Sequence, residues 1–373
     1  MKKRFALYVL IAACLYGPSL SLPVGPDTPE YLEDARKVWS GDWGLTRAER
    51  PVTTAWFVLW WPVLGERPEG WRALSILLHV VCAMMVGKLS GPNAEGWVAA
   101  LFLICVSGSQ AVLWPGCVGY ELGLIFALLA IGGGDGRDSS RNLLVLRMGH
   151  PHRLPLLRYA CGPWALWTLA GLAHPILAGV ALWRIWTSVK WRDRLLWTRR
   201  VFDYPYPLVC ELRPAGWTYD LAPIACLVSV AACAWLFPGA PQWSASRLLL
   251  EPETVALDAG LGWMRPVVNL LWYAGMLVEH AVYPFGTFLD RPGVLELVYG
   301  AGVLAVFCWR WPKWALWLLL TVLPVIFEPS VYIGGRYLYL PSVALCVVTG
   351  QALSRFRLSR WTKGPKWPWE IPR

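Results

Sequence analysis

Continuous apolar runs of roughly 13 to 19 residues recur along this chain of 373 residues, and short loops rich in Lys and Arg separate them. A helix that crosses a membrane needs about 20 apolar residues, because the hydrocarbon core is about 30 Å thick. Only 16% of the residues are charged, whereas a soluble domain carries about 25%. The pattern predicts an all-α polytopic membrane protein and excludes a soluble globular enzyme.

The boundaries of the runs predict about ten transmembrane helices with both termini in the cytoplasm. The predicted spans are residues 5–22, 71–89, 97–112, 118–131, 161–173, 176–189, 221–237, 295–309, 314–327 and 338–353. The apolar run from Thr53 to Leu64 is too short to cross, so we expect an interfacial helix in the outer loop. Val267 to Val282 is also apolar, but the parity of the charged loops predicts that it lies in the interface or enters the membrane and returns.

The net charge of +10 comes from 34 basic and 24 acidic residues. The basic residues cluster in the loops predicted to be cytoplasmic, as the positive-inside rule requires, so we expect no nucleic-acid partner. The predicted organisation is a transmembrane domain over residues 1–355, with an outer loop at 23–70 and an outer segment at 239–293, and then a basic cytoplasmic tail over 356–373. The ten cysteines show no spacing typical of a metal site, and we expect neither a metal nor a cofactor.

The first outer loop carries a dense group of acidic residues that begins with Asp27 and Glu30. A carboxylate at the rim of a membrane cavity can take a proton from an acceptor hydroxyl, which makes Asp27 a candidate general base. The alternative is structural, with Asp27 as the N-cap of a helix and Glu30 three residues later completing a capping box.

Arginines and tyrosines on the predicted outer face form a second candidate group. Arg50 precedes the predicted interfacial helix, and Arg336 begins the run Arg-Tyr-Leu-Tyr-Leu-Pro-Ser that ends at Ser342. A guanidinium group can bind a phosphate through two parallel hydrogen bonds. The alternative for Arg50 is a contact with lipid headgroups, and for Tyr337 and Tyr339 a place in the aromatic belt of the interface.

Two ionisable residues fall inside predicted spans, where polar groups are costly and mark functional sites. His79 lies in the second span and Glu121 near the outer end of the fourth. The structural alternatives are a neutral His79 that hydrogen-bonds to a neighbouring helix, and a Glu121 that pairs with an arginine of an outer loop. The sequence His174-Pro175 predicts a hinge between the fifth and sixth spans.

The ordered set of these motifs resembles the GT-C class of multi-pass glycosyltransferases, and most of all the membrane part of tetratricopeptide-containing O-mannosyltransferase-like proteins. The matching pieces occur in the family's order over about residues 5 to 355. They are the Asp-led first loop at 27–32, Arg50-Pro51, the Leu-Leu-His run at 77–83, the stretch Ala111 to Trp114, and the signature at 336–342. The tetratricopeptide repeats are absent from the sequence.

The resemblance implies transfer of a sugar from a polyprenyl phosphate donor to an acceptor on the outer face of a bacterial inner (plasma) membrane. It implies Asp27 as the catalytic base, Arg336 and Arg50 as ligands of the donor phosphate, and direct displacement with inversion at the anomeric carbon. Other residues are expected to line the surrounding cavity, namely Glu30, His79, Glu121, Tyr337 and Tyr339. The expected partners are the polyprenyl-phosphate sugar and membrane lipids, and the acceptor is unknown.

Departures from the family pattern support another function. Thr28 follows Asp27 where the family often has a second acid, Gly335 precedes Arg336 where an acid is usual, and Gln110 replaces a glutamate. These changes are compatible with a non-catalytic relative that binds lipid or scaffolds a membrane complex. A transporter of lipid-linked sugars or a polymer ligase is a third possibility.

Overall fold

The computed structural model describes residues 2–22, 25, 28–105, 109–133, 162–188, 222–236, 264–282, 294–323, 325–326 and 335–361. Within these ranges the chain is all-α, with 14 α-helices and no strand, which confirms the predicted class. In chain order the helices are α1 Lys2–Tyr16, α2 Thr28–Trp39, α3 Pro51–Leu64, α4 Pro68–Lys88, α5 Glu95–Ile104, α6 Ser109–Leu113, α7 Val118–Gly133, α8 Pro163–Ala173, α9 Leu177–Ser188, α10 Pro223–Leu236, α11 Arg265–Val282, α12 Val294–Arg310, α13 Pro312–Val322 and α14 Tyr339–Trp361.

Proline fixes where several of these helices begin. Pro51, Pro68, Pro163 and Pro312 each occupy the first turn of a helix. The first turn suits proline because the backbone N–H that it lacks would have no partner inside the helix. The first residues of the segments predicted from these apolar runs therefore lie close to the first residues of the observed helices.

The prediction of ten membrane-crossing helices is wrong in its count for the described part of the chain. Two helical segments, Pro68–Lys88 and Arg336–Arg355, are long and apolar enough to cross, and the other apolar helices have 10 to 17 residues. A helix of 10 residues is only about 15 Å long, which is half the thickness of the hydrocarbon core.

Local breaks explain why the helices are shorter than the apolar runs. The first predicted span, 5–22, loses its last residues because α1 ends at Tyr16 and a 3-10 turn with Pro18 follows. The third predicted span, 97–112, is divided because α5 ends at Ile104 and Cys105 adopts extended backbone angles. A hydropathy pattern does not reveal such breaks, because the residues on both sides of the break are apolar.

The helices pack around α4, which contacts α1, α5 and α7, while α14 packs against α5 and α13. A second, smaller apolar cluster lies where α2 and α3 pack together, and Tyr31, Phe57 and Trp71 are buried in it. The predicted interfacial run forms helix α3, on which Leu59 and Val63 are exposed. The junction between the two clusters carries the candidate site.

The segment 239–293, predicted to lie on the outer side, is described only in part. Its apolar run forms the single helix α11, which packs along α12. The approach is close at Gly300, where an added Cβ would overlap the carbonyl oxygen of Leu271. Helix α14 continues to Trp361, past the predicted end of the transmembrane domain at residue 355, and residues 362–373 of the predicted tail lie outside the described residues.

Candidate functional site

Two arginines that are distant in sequence lie within electrostatic range of the same pair of aromatic rings. Arg50 directly precedes α3, and Arg336 lies in the 3-10 turn Gly335–Leu338 that leads into α14. The side chains of Tyr120 and His174 each lie within electrostatic range of both guanidinium groups. Arg50 and Arg336, the two predicted phosphate ligands, therefore lie in the neighbourhood of the same two rings.

Aromatic and amide groups hold Arg336 in place. Its guanidinium carbon lies 5.6 Å from the ring centroid of Trp114 and 5.1 Å from that of Tyr337. Its Nη2 donates to the Tyr337 hydroxyl over 3.4 Å, and its backbone N–H donates to Gln110 Oε1 over 3.3 Å. Cation–π contacts of this kind orient the cation and leave it positively charged. The arrangement suits a guanidinium group that binds an anion.

Arg50 is positioned by the first turn of α3 and lies beside Tyr31. Its carbonyl oxygen accepts the backbone N–H of Thr54 over 2.9 Å, and its guanidinium group lies within electrostatic range of the Tyr31 side chain. The Tyr31 ring stacks on Phe57 with a centroid distance of 5.1 Å. Burial raises the pKa of Tyr31, although the nearby cations Arg50 and Arg47 act in the opposite direction. The hydroxyl therefore keeps its proton at neutral pH.

Glu30 takes a supporting position beside this site. Its carboxylate pairs with Arg47, which also pairs with Glu49 over 3.5 Å. The Arg47 guanidinium carbon lies 5.8 Å from the ring centroid of Tyr31. Glu30 thus contacts an arginine three residues before Arg50 and helps to fix the loop that presents Arg50.

Asp34 anchors the same loop, and the sequence analysis did not assign it to the site. The side chain is fully buried, and its carboxylate accepts the backbone N–H groups of Thr46 over 2.8 Å and of Arg47 over 2.7 Å. Hydrogen bonds to a charged group contribute more than neutral ones, and an unsatisfied buried N–H carries a further cost. Asp34 therefore fixes the path of the chain that leads to Arg50.

We expect Asp34→Ala to lower the free energy of unfolding by about 2 to 4 kcal/mol, because two charge-assisted hydrogen bonds are lost and two N–H groups lose their acceptor. Chemical unfolding of the detergent-solubilised protein measures this change. Glu33→Ala on the same helix is the control, since Glu33 is exposed and its ion pair with Arg36 contributes little. Equal stability of the two variants would contradict the role of Asp34.

Tyr120 and His174 form the ring pair that the two arginines share. The rings stack with centroids 4.1 Å apart and an interplanar angle of 29°. His174 lies in the break between α8 and α9, at the place where the sequence predicts a hinge. The sequence analysis did not assign either ring to the site. For His174, the sequence signal that could have assigned it to the site was a polar residue beside a predicted helix break. Tyr120 had no such signal.

The residues around Asp27 contact the turn that carries Trp114, although Asp27 itself lies outside the described residues. The backbone N–H of Gly116 donates to the Thr28 hydroxyl over 3.0 Å. On the other side, a Cβ added to Gly25 would lie 2.5 Å from Trp114 Cγ, so the backbone there packs directly on the indole. Both described neighbours of this stretch thus contact the segment beside which Arg336 lies.

A second polar cluster surrounds His79 inside the bundle. His79 Nδ1 lies 3.1 Å from the Tyr339 hydroxyl, and Nε2 lies 3.3 Å from the carbonyl oxygen of Leu103. The hydroxyl of Tyr16 donates to the same carbonyl oxygen over 3.0 Å. His79 therefore has the hydrogen-bonded position that the structural alternative proposed, and Tyr339 is its partner.

Glu121 is fully buried near this cluster. Neither of its carboxyl oxygens has a hydrogen-bond partner among the described residues, so the ion pair with an outer-loop arginine is not formed within this part of the chain. Its backbone carbonyl accepts a hydrogen bond from the thiol of Cys82 over 3.5 Å. A buried polar group without a partner lowers stability.

Replacement of Glu121 with methionine is expected to raise the free energy of unfolding by about 1 to 3 kcal/mol, because the desolvation cost of an unpartnered carboxyl is removed. Glu121→Gln is the matched control, since it keeps the shape and the polar atoms and should change stability much less. Thermal unfolding in detergent distinguishes the two. A destabilised methionine variant would show that the carboxyl has a stabilising partner.

The described residues contain no group of three or more His, Cys, Asp or Glu side chains that could hold a metal ion. The chemistry that the site offers is instead that of two guanidinium groups surrounded by Trp, Tyr and His side chains. Guanidinium groups bind phosphate through charge-assisted hydrogen bonds. A search of family models, curated proteins and solved structures finds no match to this chain.

Proposed function

We propose that the protein is a membrane-embedded sugar transferase that uses a polyprenyl phosphate sugar as donor, as its resemblance to the GT-C class implies. One observation carries the proposal: Arg50 and Arg336 lie within electrostatic range of the same two rings. Two like charges in a partly buried site repel each other, and an anion between them offsets that repulsion. A prenyl phosphate headgroup supplies such an anion.

The membrane setting rests on the sequence and on the helical architecture. The apolar composition, the basic loops and the two long apolar helices favour a polytopic protein of the inner (plasma) membrane. We propose that both termini lie in the cytoplasm. The site would then open to the outer face, where the acceptor is found.

In the proposed reaction, Asp27 takes the proton of an acceptor hydroxyl while the hydroxyl oxygen attacks the anomeric carbon of the donor. The bond between that carbon and the phosphate oxygen breaks, and its electron pair leaves with the prenyl phosphate. Arg336 and Arg50 stabilise the negative charge that develops on the leaving group. Attack from the side opposite the phosphate inverts the anomeric centre.

The proposal is tested by transfer assays with the purified full chain in liposomes, using a panel of polyprenyl-phosphate hexoses and pentoses. We expect transfer from at least one donor, and a loss of about a hundredfold or more in Asp27→Asn, which removes the base. Asp42→Asn is the control, because Asp42 is an exposed acid of the same loop. Full activity of Asp27→Asn would contradict the assignment of the base.

The second candidate is a non-catalytic membrane protein that binds the same lipid or scaffolds a complex. The observation that favours it is the amide of Gln110, which accepts the backbone N–H of Arg336 where the family has a carboxylate. Copurification with another membrane protein at fixed stoichiometry, together with no transfer from any donor in the panel, would support this candidate over the transferase.

A further inference from the structure

The position of His174 in a helix break does not explain why this residue is a histidine. The side chain is 6% exposed, although the sequence around it is otherwise apolar. Helix α8 ends at Ala173, and His174 adopts extended backbone angles (φ −160°, ψ 134°) before Pro175. The residue before a proline is disfavoured in the helical region, so Pro175 alone accounts for the break. The imidazole needs a separate explanation.

The hydrogen bond at one ring nitrogen determines where the proton of the neutral ring lies. The backbone N–H of Ile176 donates to His174 Nδ1 over 3.3 Å. Nδ1 is therefore an acceptor, and a neutral imidazole with Nδ1 as acceptor carries its proton on Nε2. Within the described ranges no acceptor contacts Nε2, so this N–H is a donor that remains available.

Packing holds the ring rigidly beside α7 and the first turn of α3, the helix that Arg50 precedes. The face of the ring stacks on Tyr120, which leaves the edge of the ring to meet a ligand. The hydroxyl of Thr53, three residues after Arg50, donates to the carbonyl oxygen of Ala173 over 3.2 Å. A Cβ added to Gly119 would lie 2.7 Å from both of these oxygens. Helices α3, α7 and α8 thus meet with little room for movement.

We propose that His174 is a third ligand of the phosphate, donating from Nε2–H to the anion that Arg50 and Arg336 bind. The inference rests on the proposed function, because it assigns a further residue to the same phosphate site. The guanidinium groups of Arg50 and Arg336 supply positive charge but do not fix the position of any one phosphate oxygen. A single N–H donor on a rigid ring does fix the position of the oxygen that it binds. His174 is therefore a binding residue whose loss weakens affinity for the phosphate without changing the fold.

Two substitutions separate this role from a structural one. His174→Asn places a side-chain oxygen where Nδ1 accepts the N–H of Ile176, but it has no donor at the position of Nε2. His174→Gln reaches the position of Nε2 with an amide N–H. If the role is structural, asparagine is the better replacement; if the residue binds phosphate, glutamine is the better one.

The experiment is calorimetric titration of the full chain in detergent with farnesyl phosphate, with inorganic phosphate and farnesol as separate titrations. We expect His174→Asn to weaken farnesyl phosphate binding by about tenfold or more, the effect of one hydrogen bond to a charged group, and His174→Gln to stay within about threefold of the wild type. Both variants should unfold at the wild-type temperature. Unchanged binding in His174→Asn would overturn the inference.

The three ligands also distinguish failure of this inference from failure of the proposed function. If the wild type binds farnesyl phosphate and Arg336→Gln does not, but His174→Asn binds normally, only the role of His174 is wrong. If the wild type binds inorganic phosphate alone, the prenyl donor is wrong, and His174 is then judged by the same two variants with that ion. If it binds neither phosphate, both proposals are wrong.

Discussion

Arg336→Gln is expected to reduce sugar transfer by about a hundredfold or more, the typical cost of removing one donor that stabilises transition-state charge. The expectation follows from the position of the guanidinium group, which Trp114 and Tyr337 orient and which lies in electrostatic range of the same rings as Arg50. The substitution removes the positive charge but keeps a side chain that can hydrogen-bond. Steady-state transfer by the purified protein in liposomes measures the effect.

Arg336→Lys should recover little of this activity, because an ammonium group cannot make two parallel hydrogen bonds to phosphate or stack in the same way on Trp114. Arg36→Gln is the matched control, since Arg36 is an exposed arginine of α2 that pairs with Glu33. We expect the control to transfer sugar at the wild-type rate. Sugar transfer by Arg336→Gln at the wild-type rate would show that Arg336 takes no part in the reaction.

Arg72→Met is expected to lower the free energy of unfolding by about 3 to 5 kcal/mol, the largest change in stability that we predict. The residue Arg72 is 1% exposed. It donates to the carbonyl oxygens of Leu113 over 3.1 Å and of Leu20 over 3.0 Å, and also to that of Leu22. Methionine fills similar space but leaves these carbonyl groups without this donor.

Leu113 ends α6, whereas Leu20 and Leu22 follow the 3-10 turn that comes after α1, so Arg72 joins two chain segments to the central helix α4. Arg67→Met is the control, because Arg67 is an exposed residue just before the same helix and should change stability by less than about 0.5 kcal/mol. Unfolding in a denaturing detergent series measures both variants. A loss below about 1 kcal/mol in Arg72→Met would show that other groups satisfy these carbonyls.

The sequence predicts the helical class and many helix boundaries, because apolar runs bounded by proline leave few alternatives. Pro51, Pro68 and Pro312 lie at the starts of helices that the runs predicted. The sequence does not predict where a run is interrupted without a change in hydropathy, as at Cys105. For that reason the predicted number of membrane-crossing helices is wrong.

The residues of the candidate site were likewise predicted only in part. Arg50 and Arg336 were selected because a guanidinium group on the predicted outer face can bind phosphate and because the resemblance implies this role; both lie within electrostatic range of the same two rings. Asp34 and Arg72 could not be selected, since their partners are backbone groups that distant parts of the chain supply. Such partners leave no pattern in a single sequence. His174 was selected only as a hinge, because stacking on Tyr120 depends on how α7 and α8 pack.

The most direct test of the account is a double-mutant cycle on farnesyl phosphate binding, with Arg50→Gln, Arg336→Gln and the double variant compared with the wild type. Residues that bind one ligand couple, whereas residues at separate sites act independently. We predict that each single variant weakens binding by about tenfold or more, and that the double variant is weakened by clearly less than the product of the two. Single effects that multiply, or no effect of either arginine, would contradict a shared phosphate site.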